Sequence, residues 1–204
     1  RNHVPERSPV VIWLDMRIQI KSWAIYFLVV LLSLFFHELG HCVVAWVNGI
    51  RAVPTAAKEY PLDPVPDGVK YLVSAGGVAA TIVASLLGLV LFAVKKTKNS
   101  LSFLAGVTAM PVLYSTLFFF KGRGHDGTEF QEFQSVVGAS YSGHFSDWTF
   151  VVLSLAAIIL WVVTEKPTYR CFPRLLLRAL LTFAFIVGLQ EANNSLFDRL
   201  FARG

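Results

Sequence analysis

The apolar run from Trp23 to Val47 constrains the fold of this chain more than any other stretch of its sequence. A membrane-spanning helix needs about 17–25 mostly apolar residues, and this run is long enough to supply them. Three ionisable residues nevertheless lie inside the run, at His37, Glu38 and His41, in the pattern His-Glu-x-x-His. An ionisable side chain within a membrane segment costs about 2.5–3.5 kcal/mol on insertion scales, so three of them together indicate a functional site.

The spacing of these residues predicts a metal site. Residues four apart lie on one face of a helix, so the imidazoles of His37 and His41 project side by side, as two ligands of a tetrahedral zinc ion do. Glu38 lies one position round the helix, where its carboxylate can take a proton from a water molecule without binding the metal itself. We therefore predict that His37 and His41 bind Zn²⁺ and that Glu38 is the catalytic base.

The composition indicates a membrane protein. Of the 204 residues, 55% are hydrophobic and 15% are charged, whereas a soluble domain carries about 25% charged residues. We predict an all-α polytopic membrane protein with about five transmembrane helices, or four if a marginal run does not span, in a single membrane-embedded domain over residues 1–204. The candidate spans are Trp23–Val47, Tyr71–Val94, Leu101–Phe120, Trp148–Val163 and Leu175–Leu189.

Two segments between or before the spans predict β structure. Apolar and polar residues alternate over 14–21, which favours a short strand at the membrane surface. Its expected partner is the segment 50–60, which is long enough for a strand or a hairpin. Four prolines in 54–68 predict an extended connection, which is either a substrate-presenting or lid segment beside the metal or a surface linker.

Small residues and one proline predict how the spans pack. Ser74-Ala75-Gly76-Gly77 lets helix backbones approach closely. Pro111 is expected to kink the third span and to free a carbonyl that a neighbour must satisfy. Cys42 points away from His41 on a helix, so we interpret it as a packing residue and not as a ligand.

The distribution of basic residues predicts the orientation. Lys and Arg are more numerous on the side of the N-terminus, of Lys95–Lys98 and of the connection around Lys166–Arg178. The positive-inside rule then predicts a multi-pass protein of the cell membrane with a cytoplasmic N-terminus. The net charge of +5 is spread over loops, which favours contact with the lipid bilayer and not with nucleic acid.

A catalytic zinc ion takes three protein ligands, so one more must come from elsewhere in the chain. The segment between the third and fourth spans offers several candidates. Geometry alone does not choose among them. They are Asp126, His125, Glu129 and His144.

The order of these parts resembles the site-2 protease family of intramembrane zinc metalloproteases. The resemblance covers roughly residues 14–130 and includes His37-Glu38-Leu39-Gly40-His41, Ala75-Gly76-Gly77 and Asp126-Gly127. It implies that Asp126 is the third zinc ligand. Two features depart from the family pattern. His125 stands where a leucine usually precedes Asp-Gly, and the aligned stretch Gly76-Gly77-Val78-Ala79-Ala80 contains no asparagine, which leaves Thr81 or Ser85 as weak replacements for substrate binding.

The function that follows is that of a zinc metalloendopeptidase, which cleaves membrane-protein or transmembrane-peptide substrates within or next to the bilayer. We expect an extended substrate segment to pair with the strand at 14–21 or 50–60. The alternative is a catalytically inactive membrane scaffold or regulatory binding protein that retains the metalloprotease fold. A metal or proton transporter fits less well, because the ionisable residues are concentrated in one span and one connection.

Overall fold

A computed structural model describes residues 9–121, 145–166 and 172–201. This part of the chain is almost entirely helical, with one small hairpin between the first two helices. The last helix continues through a π-helical turn over Asn194–Asp198 and a final turn over Arg199–Phe201. The elements are α1 (Pro9–Val47), β1 (Ala52–Pro54), β2 (Glu59–Pro61), α2 (Asp67–Lys95), α3 (Lys98–Val107), α4 (Ala109–Lys121), α5 (Phe145–Glu165) and α6 (Phe172–Asn193).

The helices confirm the prediction of an all-α polytopic membrane protein. Four of the described helical stretches are long and apolar enough to cross a bilayer. The helices α3 and α4 make a fifth span if the bent pair crosses as one unit. The four continuous spans are Gln19–Val47, Asp67–Lys95, Ser146–Glu165 and Pro173–Phe201.

The predicted break near Pro111 is also confirmed. The axes of α3 and α4 differ by 45°, with the interruption at Thr108. Proline has no N–H to donate to the carbonyl four residues earlier, and its ring crowds that carbonyl, which is that of Val107. The hydroxyl of Ser85 on α2 donates to Val107 O at 3.4 Å, so a neighbouring helix satisfies the freed oxygen.

The prediction of a strand over 14–21 is wrong, because these residues belong to α1. The alternation covers only eight residues, and a strand needs a partner, whereas helical hydrogen bonds are local. The segment runs into the apolar run without a glycine or proline to end the helix, so the helix extends back to Pro9, a residue that is tolerated in a first turn.

The two strands of the hairpin therefore pair with each other and not with the segment 14–21. β1 and β2 are antiparallel, with Val53 opposite Tyr60 and a proline at the end of each strand. Beyond the strands, Arg51 donates to both carboxylate oxygens of Asp63, with Nη2 at 2.7 Å from Oδ1. These hydrogen bonds lower the pKa of Asp63 to about 2. The connection between α1 and α2 is thus an ordered, extended element as far as Pro66.

The helix α1 lies at the centre of the molecule. Of the 18 most apolar consecutive residues of α1, 44% are buried, compared with 33% for the corresponding stretches of α2 and α5. At the crossing of α1 and α2, Gly40 and Gly76 face one another, and a Cβ on either would collide with the carbonyl oxygen of the other. The predicted role of the small residues in close packing is confirmed. Cys42 is fully buried nearby, packed with Ala45, Ile50, Ala52 and Val73, as expected of a packing residue.

The helix α6 packs much more loosely, because only 11% of its most apolar 18-residue stretch is buried. Hydrogen bonds at two places hold it to the rest of the molecule. Near the middle of α6, Thr182 shares a hydrogen bond with the hydroxyl of Tyr26 at 2.7 Å. In the π-helical turn that follows α6, Asp198 accepts hydrogen bonds from Tyr60 at 2.8 Å and from Lys58 at 3.1 Å. The hairpin is thereby tied to the last helix.

Candidate metal centre

The three residues of the motif lie together in the interior. His37, Glu38 and His41 are 7%, 9% and 3% exposed. The Nε2 atoms of His37 and His41 are 3.1 Å apart, with the two rings nearly perpendicular. Two nitrogens bound to one tetrahedral zinc ion at 2.0–2.1 Å lie about 3.4 Å apart, so the separation fits a shared ion. The predicted side-by-side projection of the two imidazoles is confirmed.

The second helix fixes how these rings are turned. Nδ1 of His41 lies 2.7 Å from the carbonyl oxygen of Val73, and Nδ1 of His37 lies 2.8 Å from Oγ1 of Thr81. A carbonyl oxygen can only accept, so Nδ1 of His41 carries the proton, and the lone pair of the neutral ring is on Nε2. Metal-binding histidines commonly donate their other ring nitrogen to a carbonyl or a similar group in this way.

Gly77 on α2 lies directly against the Nε2 atoms of both histidines. A Cβ at this position would collide with Nε2 of His37 and of His41. Any larger residue would therefore push the two rings aside or fill the space beside their Nε2 atoms. Paired nitrogens beside a residue without a side chain, together with the adjacent carboxylate of Glu38, are compatible with a bound cation.

Glu59 is a candidate ligand that the sequence did not suggest. Its carboxylate, that of Glu38 and a ring nitrogen of His41 lie within 4.8 Å of one another, a grouping that could hold a metal ion. Glu59 belongs to β2, so the hairpin reaches the candidate metal centre. The hairpin within the proline-rich connection thus lies beside the histidines, and a role of this connection in presenting substrate stays a prediction.

The remaining candidate ligands, Asp126, His125, Glu129 and His144, lie outside the described residues. Their assignment stays a prediction. The segment that carries them follows α4, whose residues Tyr114 and Leu117 line the same cavity as the histidines.

A cavity of about 460 Å³ opens beside the motif. On one side are His37, Glu38, His41 and the hairpin residues Lys58 and Glu59; opposite lie the apolar faces of α4 and α6. The side-chain amides of Gln190 and Asn194 belong to the α6 side of the lining. The cavity thus combines two carboxylates, one ammonium group, two imidazoles and two side-chain amides with an apolar wall, which is suited to polar chemistry on an amphipathic or apolar chain.

Neither polar residue proposed to replace the family's asparagine has its hydroxyl in this lining. The hydroxyl of Thr81 is engaged with His37, and that of Ser85 with Val107 O. Thr81 therefore belongs with the groups that orient a histidine. A pattern of single residues could not separate these roles, because each depends on the register in which α1, α2 and α3 cross.

The fold and the site together define a multi-pass membrane protein with a buried His-Glu-x-x-His cluster that faces an internal cavity. No protein-family model, curated protein or solved structure matches this chain.

Proposed function

We propose that this protein is an intramembrane zinc metalloprotease of the kind found in the site-2 protease family. One observation carries the proposal: the Nε2 atoms of His37 and His41 lie 3.1 Å apart inside a membrane-spanning helix, and α2 holds each ring through a hydrogen bond to its Nδ1. The carboxylate of Glu38 adjoins them at the cavity. Buried imidazoles with these partners fit metal binding better than packing.

His37 and His41 would hold the ion, with Asp126 as the third ligand that the family resemblance implies. Glu59 is the alternative third ligand supported by its position near His41 and Glu38. A bound zinc ion supplies acidification of a water molecule and polarisation of the scissile carbonyl.

Glu38 is suited to the proton transfers of peptide hydrolysis. It is next to a ligand in sequence but points into the cavity, where its carboxylate can accept the proton of the attacking water and later deliver it to the leaving amine. The apolar lining from α4 and α6 keeps bulk water from the site and strengthens the electrostatic interactions of these groups.

The substrate we propose is a transmembrane segment of another membrane protein, unwound near the hairpin. A helical backbone hides its carbonyls, so the chain must become extended before it is cleaved. Of the two strands expected to receive it, 14–21 is helical and only the hairpin is available. The amides of Gln190 and Asn194 are suited to hold the substrate backbone, the role for which the sequence offered only Thr81 or Ser85.

For orientation, we propose that the N-terminus is cytoplasmic in the cell membrane. The turn at Lys95–Lys98 and the start of α6 are rich in Lys and Arg, and both lie on the side from which α1 enters. The histidines lie in the second half of α1, so the metal centre would be nearer the outer leaflet.

The test is cleavage of single-span transmembrane peptides reconstituted with the protein in lipid nanodiscs, with products identified by mass spectrometry. We expect zinc-dependent cleavage, lost by a factor of about 10²–10⁴ in Glu38→Gln while zinc is retained. The matched control is Glu191→Gln, which changes an exposed carboxylate on α6 that does not line the cavity beside the motif. Equal behaviour of wild type and Glu38→Gln would support the inactive scaffold instead.

A further inference from the structure

A second, larger cavity lies at the opposite end of the molecule from the histidines. It measures about 990 Å³ and is enclosed by the first membrane-spanning turns of α1, the beginning of α3, the end of α5 and the beginning of α6. All four places are on one side of the membrane, because α1, α3 and α6 begin there and α5 ends there. The lining includes the cationic side chains of Lys98, Arg174 and Arg178, one carboxylate, Glu165, and the rings of Trp23 and Trp161.

Arg178 is the central group of this cavity. Its guanidinium carbon lies 4.1 Å from the ring centroid of Tyr26 and 5.3 Å from that of Trp23. Stacking on these aromatic faces leaves the N–H groups at the guanidinium edge to find acceptors elsewhere. Within residues 9–121, 145–166 and 172–201, no atom accepts a hydrogen bond from the buried Nε of Arg178. A buried donor on a cation calls for an anionic acceptor.

An apolar groove of about 540 Å³ continues from this cavity along the molecule. The two spaces share lining residues on α3, α5 and α6, among them Leu101, Trp161 and Arg178. From there the groove runs between α4, α5 and α6, as far as Phe183 and Ile186, which also line the metal-site cavity. A cationic chamber rimmed by tryptophans thus opens into a long apolar channel, a shape complementary to a charged head and an acyl chain.

We propose that this chamber binds an anionic phospholipid. Its phosphate would sit against the guanidinium of Arg178, with Lys98 and Arg174 at the rim, and one acyl chain would lie in the groove. Arginine matches a phosphate group in a bidentate manner, and tryptophan rings favour the headgroup level of a bilayer. The basic side of the protein is also the side on which anionic lipids would be met if it faces the cytoplasm. Proteolysis is not required for this binding.

The test uses the full chain in mixed micelles and phospholipids with brominated acyl chains, which quench nearby tryptophans such as Trp161. Brominated phosphatidylglycerol should quench the fluorescence saturably, and brominated phosphatidylcholine should do so only weakly. Arg178→Gln should weaken the phosphatidylglycerol binding about tenfold or more. The matched control is Arg199→Gln, which removes an exposed arginine in the final turn, Arg199–Phe201, and should leave the affinity unchanged.

Three results would overturn the proposal. One is equal quenching by the zwitterionic and the anionic lipid; another is unchanged affinity in Arg178→Gln. The third is full displacement of the brominated lipid by inorganic phosphate, which would mark a site for the free anion. Should Arg178→Gln not give a monodisperse helical protein, Arg178→Lys replaces it: this variant keeps the charge but loses the bidentate geometry, and we expect a smaller but measurable weakening.

Discussion

Nδ1 of His41 on α1 donates to the carbonyl oxygen of Val73 on α2, at 2.7 Å. This contact joins a predicted metal ligand to the backbone of a different helix, so the orientation of the ring depends on how α1 and α2 pack. The glycines Gly40 and Gly76 make that close approach possible. The geometry of the candidate metal centre thus depends on the α1–α2 crossing and not on the pentapeptide alone.

The contact between Thr81 and His37 offers a direct test of this dependence. Thr81→Val keeps the shape of the side chain but removes the oxygen 2.8 Å from Nδ1 of His37. We expect zinc affinity, measured by competition with a chelator, to fall about 10–100-fold, as when other groups behind metal-binding histidines are removed. Thr81→Ser should recover most of the affinity. The control Thr116→Val removes an exposed hydroxyl that donates to Val112 O within α4. If Thr116→Val lost as much zinc affinity as Thr81→Val, the positioning role of Thr81 would be refuted.

Gly77→Ala should block the metal centre. The added Cβ would collide with Nε2 of both histidines, so we expect zinc content, measured by elemental analysis, to fall well below that of the wild type. Gly188→Ala on α6 is the matched control, because a Cβ there meets nothing within 4 Å. Normal zinc binding in Gly77→Ala would mean that the two nitrogens do not share an ion in front of this glycine.

The third ligand can be assigned by comparing two carboxylate variants. If Asp126 binds the ion, Asp126→Ala should lose most of its zinc, whereas Glu59→Gln should lose little, since Glu59 would then only adjoin the site. Zinc content and chelator competition measure both effects. If Glu59→Gln lost most of its zinc and Asp126→Ala lost little, Glu59 of the hairpin would be the third ligand.

The hydrogen bond between Tyr60 and Asp198 predicts a pH dependence. Burial of the Tyr60 hydroxyl and its hydrogen bond to Asp198 raise the pKa of Tyr60 from 10.0 to about 12. Because the pKa of Tyr60 is higher in the folded protein than in the unfolded chain, its contact with Asp198 stabilises the fold fully below pH 10. This stabilisation is lost as the pH rises through about 12. Tyrosinate formation can be followed by ultraviolet absorbance in the wild type and in Tyr60→Phe. The difference between the two titration curves should show one group that titrates near 12. A difference that titrates near 10 would contradict the contact.

Much of this architecture follows from local pattern. The spans, the paired histidines and the break near Pro111 depend on apolar length, helical period and the missing proline N–H, all of which are visible in the sequence. The strand predicted at 14–21 failed because a short alternation cannot outweigh continuity with a long helix. Glu59, Val73 and Thr81 were not assigned to the centre, because their roles depend on the register of the α1–α2 crossing and on a backbone carbonyl, neither of which a residue pattern reveals.

The most direct test of a zinc centre in α1 is the zinc content of the detergent-purified protein, with His37→Ala, His41→Ala and Glu38→Gln measured in parallel. We predict about one zinc ion per chain in the wild type and in Glu38→Gln, and a strong loss in both histidine variants. A wild-type protein that holds no zinc after reconstitution, or histidine variants that keep it, would contradict the account.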